Sequence, residues 1–128
     1  MSQNPVDAYS AIQKDSLNPR DLEASVLMRA AMMLKQAQDC WDTPDREQKL
    51  MDAISYNQKI WSFFQAELSA PENPMPNNIK QDILNLSLFV DKRLLEVLAA
   101  PDPKKLSIVI DINTNIAAGL RSAPSEAA

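Results

Sequence analysis

One glycine against nine prolines in 128 residues is the feature that most narrows what this chain can fold into. Hairpin turns and type II turns need positive φ, which glycine adopts at no steric cost. With Gly119 as the sole glycine, an all-β fold is strongly disfavoured. Inside a helix a proline removes a hydrogen bond and clashes with the preceding turn, so the prolines belong between helices or in their first turns. The sequence therefore reads as all-α, a single-domain bundle of about five helices with proline-containing starts and connectors.

The prolines also mark where the helices begin. Asn4-Pro5, Asn18-Pro19, Thr43-Pro44 and Asp102-Pro103 each pair a capping residue with a proline. The cap accepts a hydrogen bond from an orphan N–H of the first turn, and proline lacks an N–H that would go unsatisfied there. A fifth start follows Pro74-Met75-Pro76, at Asn77 or Asn78. The predicted helices run from about Pro5 to Ser16, Pro19 to Cys40, Pro44 to Ser69, Asn77 to Ala99, and onward from Pro103, within the usual boundary error. Ile108-Val109-Ile110 is β-branched and alone suggests a strand. The Asp102-Pro103 start, the spacing of Leu106, Val109, Asn113, Ile116 and Leu120, and Gly119 near the end favour a helix. Residues 1–121 form one domain by length, and 122–128 read as a flexible tail.

Composition excludes most chemistry. The chain has no histidine, which removes the commonest acid–base catalyst and transition-metal ligand. One glycine cannot build a phosphate-cradling loop. Cys40 cannot form an internal disulfide and has no histidine to activate it. Asp39, Asp42, Asp45 and Glu47 match no calcium-loop spacing, and the two later acids suit the positive first turn of a helix. No catalytic, cofactor or metal site is expected, and the chain does not read as an enzyme. The net charge of −4 is spread evenly, so the basic tract that nucleic-acid and anionic-membrane binding use is missing. No apolar run reaches membrane-spanning length, and the N-terminus lacks a secretory signal core. A soluble, cytoplasmic protein is expected.

The functional question centres on Tyr56-Asn57-Gln58-Lys59-Ile60-Trp61-Ser62-Phe63-Phe64, which holds more than half of the chain's aromatic residues. Leu50, Ile54, Asn57, Trp61, Phe64 and Leu68 step by four and three and trace one seam. Ala53, Tyr56, Ile60 and Phe63 form a second stripe beside it. So wide an apolar arc makes the 44–69 helix the expected central element, with Ile54, Asn57 and Phe64 as structural seam residues. Asn57, the one polar residue of the seam, either fixes helix register or bonds a partner's backbone. Met28, Met32 and Met33 suit core filling or an adaptable surface. In the 77–99 helix, Leu84, Leu88 and Leu95 lie toward a different side from the main stripe of Ile79, Ile83, Leu86, Val90, Leu94 and Val97. Such all-round apolarity marks a buried helix or an exposed patch awaiting a partner. Tyr56, Ile60, Trp61, Phe63 and Leu88 are the candidate partner-binding residues, since aromatic residues are frequent interface anchors.

Several segments together resemble the FlaF family, flagellar biosynthesis regulators of alphaproteobacteria. They are Asn18-Pro19-Arg20-Asp21-Leu22-Glu23, Tyr56-Asn57-Gln58-Lys59-Ile60-Trp61, Asn73-Pro74-Met75-Pro76, Asn85-Leu86-Ser87-Leu88-Phe89-Val90 and Ile112-Asn113-Thr114-Asn115-Ile116-Ala117-Ala118-Gly119-Leu120. They occur in the family's order from about Tyr9 to Arg121, with small departures such as Asp21 where Glu is usual. The resemblance implies a cytoplasmic, all-helical protein needed for flagellin production and secretion. It implies action alongside the regulator FlbT, which the family links to translation of flagellin messenger RNA, and engagement of flagellin as an export chaperone. It supplies no residue-level site. Three readings follow: a flagellin chaperone with an apolar helical groove, an RNA-binding adaptor, and a scaffold for FlbT or for a second copy. The even charge weighs against direct RNA contact.

Overall fold

The computed structural model describes residues 19–122. They form helices α1 (Pro19–Asp39), α2 (Arg46–Ser69), α3 (Asn77–Ala99) and α4 (Ser107–Ser122), with a single 3₁₀ turn (Pro103–Leu106) leading into α4. There is no strand among the described residues, so Ile108-Val109-Ile110 is helical. The helix expected over 5–16 lies outside the described residues. Of the tail expected from 122, Ser122 closes α4 and the rest also lies outside them. No helix of the described residues is long and apolar enough to cross a membrane.

The proline starts are kept at Pro19 and Pro103 and shifted at Pro44. Asp102 caps as expected, its Oδ1 accepting the Lys104 N–H at 2.9 Å, but the helix opens as a 3₁₀ turn before becoming α. Thr43-Pro44 instead sits in a turn, where the Thr43 hydroxyl donates to the Cys40 carbonyl or to Asp45. The hydroxyl satisfies the end of α1 and the turn rather than an N–H of α2, so α2 starts two residues later. Gly119 lies inside α4 in open space, three residues before its end, and does not act as a cap.

The expectation that the 44–69 helix is central is corrected. Helix α1 approaches the backbone of α4 most closely and also packs on α2 and the 3₁₀ turn. The reason is side-chain size: Ala24, Ala30, Ala31 and Ala37 are all buried on α1. Alanine lets helix axes draw together, whereas the large residues of α2 hold neighbours apart. The core joins Leu27 and Leu34 of α1, Ile54, Trp61 and Phe64 of α2, Val90, Leu94 and Val97 of α3, and Val109 and Ala117 of α4. Helix α3 reaches this core with one narrow stripe: only Ser87, Val90, Leu94 and Val97 of its 23 residues are buried.

Helix positions across α1, α2 and α4 are locked by a buried polar chain. The Trp61 indole N–H donates to Asn113 Oδ1 at 2.9 Å. Asn113 Nδ2 donates to Asn57 Oδ1 at 2.7 Å. Asn57 Nδ2 in turn donates to the carbonyls of Ala53 and Ala30. All three side chains are fully buried, and no buried polar atom among the described residues lacks a partner. A complete network of this kind is stable because each group regains inside the bundle the bond it gave up to water.

Candidate partner-binding surface

The apolar surface left open lies on α3. Its buried stripe uses about a third of the circumference, and leucine fills the next sector. Leu88 is 65% exposed and Leu95 is 59% exposed, the two most exposed large apolar residues described. Leu84 and Leu98 extend the stripe, half-buried and exposed respectively. From Leu84 to Leu98 the stripe is about 20 Å long at 1.5 Å per residue.

The stripe lies beside α2. Gln65 of α2 bridges to α3, its Nε2 donating to the Ser87 hydroxyl and to Asp91 Oδ2, both at 3.0 Å. At about 100° per residue, Leu84, Leu88 and Leu95 lie within about 60° of Asp91, on the side away from the core. Ser62 and Ser69 lie within about 60° of Gln65 on α2, also away from the core. Both serines are exposed, as is Ser55 one heptad earlier. Beyond the Gln65–Asp91 bridge, α3 therefore presents leucine and α2 presents short serines, an arrangement that leaves room for a groove between them.

The candidate residues named from sequence are divided by this geometry. Ile54, Asn57 and Phe64 are buried in the core. Trp61 is also fully buried, with its N–H bonded to Asn113, so it has no surface for a partner. Its place on the seam outweighs its aromatic character. Tyr56 is half-buried beneath Arg29, whose guanidinium carbon stands 5.6 Å from the ring centroid. Ile60 is half-buried against the core. Phe63 is 45% exposed and meets Phe64 edge-on. Phe63 lies about 160° around α2 from Gln65, so it does not share a surface with Leu88. Arginines also cover Trp41, through Arg46, and Phe89, through Arg93. Met28 and Met33 pack half-buried on the core, while Met32 is exposed.

Elsewhere the described residues offer little chemistry. A small cleft where Leu27, Trp61, Leu68 and Ile83 meet Glu23, Glu67 and Asn73 has a cavity volume of about 40 Å³. That is room for a few waters at most. Two of the four acids of the 39–47 cluster pair with lysines, Asp39 with Lys35 at 3.1 Å and Asp45 with Lys49 at 3.3 Å. The Thr43 hydroxyl, and then Lys49, hold the Asp45 carboxyl below its ordinary value, and Asp45 raises the Lys49 ammonium in return. No group of three or more metal-ligating side chains forms among the described residues.

Sequence reasoning passed over three residues that matter here. Asn113 was placed on a core stripe without its bond to Asn57, although two asparagines on buried stripes already suggest a pair. Leu95 shares the outer side of its helix with Leu88, and its lack of aromatic character hides its exposure from a sequence reading. Asp91 carries a detectable signal, a charge between Leu88 and Leu95 on the leucine side, with Lys92 at that side's outer edge. Comparison with known proteins adds the last observation. The family model described as flagellar protein FlaF matches residues 5–120. No curated protein and no solved structure matched.

Proposed function

The chain belongs to the FlaF family of flagellar proteins, and from that premise we propose that it promotes flagellin synthesis and secretion by binding flagellin as a cytoplasmic export chaperone. The observation that carries this reading is the bare leucine stripe of α3 beside the serine face of α2. A helix that exposes leucine at positions four, seven and three residues apart offers a surface for another amphipathic helix. Burying Leu88 and Leu95 alone would contribute a few kcal/mol, at about 1.5–3 kcal/mol for each fully buried side chain. Segments of flagellin that pair with one another in the filament need such a cover before assembly. The binding surface in this reading is Leu84, Leu88 and Leu95 with Ser62 and Ser69. The Tyr56, Ile60 and Phe63 flank is left outside it.

Titration calorimetry of the purified chain with purified monomeric flagellin tests the reading. A one-to-one complex with a negative heat-capacity change is expected, because apolar surface is buried. No binding to flagellin, together with a gel shift of the flagellin leader RNA or a stable complex with FlbT, would replace this reading with the translational one.

A further inference from the structure

Asp91 sits where an apolar groove should have no charge. It is half-buried between Leu88 and Leu95, and its carboxylate accepts one hydrogen bond, from Gln65 Nε2 at 3.0 Å. It makes no ion pair among the described residues, while Asp39, Asp45 and Glu96 each pair with a cation on their own helix. The positions one turn away on α3 are Ser87, Leu88, Leu94 and Leu95, so the helix supplies no cation within reach. Across the groove stand Gln65 and Ser62, which are neutral. Lys92 points about 100° away from Asp91, at the outer edge of the leucine stripe, and makes no ion pair with it.

An open carboxylate at this place is tolerated only while water reaches it. A partner that covers the leucines strips that water, and a desolvated, unpaired carboxylate is strongly unfavourable. A purely apolar helix would therefore be rejected by the same surface that attracts it. A helix with a Lys or Arg at the matching position would convert the penalty into a charge-assisted hydrogen bond. Repulsion of the wrong partner is as effective a source of specificity as attraction of the right one.

We propose that the α2–α3 groove is a docking site for an amphipathic helix that carries one Lys or Arg in the middle of its apolar stripe, and that Asp91 is the residue that selects it. The bound helix spans about four turns to match the 20 Å stripe. Its apolar residues flank the cation on both sides, as Leu84 and Leu88 flank Asp91 on one side and Leu95 and Leu98 on the other. This inference rests on the chaperone reading, because it describes the segment of flagellin that the groove would take.

The test uses the full chain and purified flagellin. Asp91→Asn keeps the shape and the Gln65 contact but removes the charge, and Asp91→Lys reverses it. At least a tenfold loss of affinity is expected for Asp91→Asn and a larger loss for Asp91→Lys, at unchanged melting temperature. Reversing one Lys or Arg of flagellin's terminal helices to Glu should restore binding to Asp91→Lys alone. If the parent chain binds flagellin and both variants bind it equally well, the selection by Asp91 is wrong and the chaperone reading stands. If the parent chain does not bind flagellin at all, the reading falls and the inference with it. Should Asp91→Lys fail to fold, the salt dependence of Asp91→Asn against the parent decides: equal slopes overturn the proposal.

Discussion

Helix α2 takes part in two polar clusters that differ in one respect. Trp61, Asn57 and Asn113 form a fully buried chain in which every polar side-chain atom has a partner. Gln65, Ser87 and Asp91 form a bridge that also has good distances, but it leaves a carboxylate with a single donor beside exposed leucines. A closed network serves the fold, since its cost in desolvation is already offset by its own bonds. An open one at a groove floor leaves a bond to be made by something else. Most aromatic residues follow the first pattern, Phe63 excepted, and the outer leucines of α3 follow the second. Trp61 and Phe64 are inside and arginines lie over Trp41, Tyr56 and Phe89, whereas Leu88 and Leu95 stand mostly exposed.

The sharpest way to break this comparison is to open the closed network. Asn113→Ala removes the acceptor of the Trp61 N–H and the donor to Asn57 Oδ1. Each buried group so orphaned costs about 1–3 kcal/mol. Chemical denaturation should show the loss, and adding Asn57→Ala should cost less than its effect alone, because the two residues share a bond. A loss under about 0.5 kcal/mol would mean that the network is not what holds α4 in place.

A much smaller effect is expected at the α1–α2 turn. The Asp45 carboxyl titrates below the ordinary 3.8 because Thr43 and then Lys49 bond its charged form. A group with a depressed folded value stabilises above its unfolded value, and that stability is lost as pH falls through the folded one. Thermal melts of the parent and Asp45→Asn should therefore differ slightly at about pH 7 and coincide at about pH 2. The difference is small because the pair is exposed and screened. A gap that persists in acid would assign the effect to the turn's geometry rather than to charge.

How far the sequence disclosed these features follows from what each depends on. Helix existence rests on local pattern and proline placement, so α1 to α4 were legible, with boundaries off by a few residues at Thr43-Pro44. Burial of Ile54, Asn57 and Phe64 was legible because a seam with a strict four-and-three step must face inward. The role of α1 was not, because alanine is a weak apolar signal and its effect is to set distances between axes. Grouping Phe63 and Leu88 on one groove failed for a related reason. Periodicity places each residue on its own helix, but the relation between two helices is set by contacts such as Gln65–Asp91, which no single-helix pattern contains.

The central claim is that the outer leucines of α3 contribute to a partner and not to the fold. The direct measurement is the Leu88→Ser/Leu95→Ser double variant, assayed for both melting temperature and flagellin affinity. The account predicts stability within about 1 kcal/mol of the parent, as for surface substitutions, with affinity reduced at least tenfold. A variant that loses the several kcal/mol typical of core truncation, or one that binds flagellin as tightly as the parent, would contradict it.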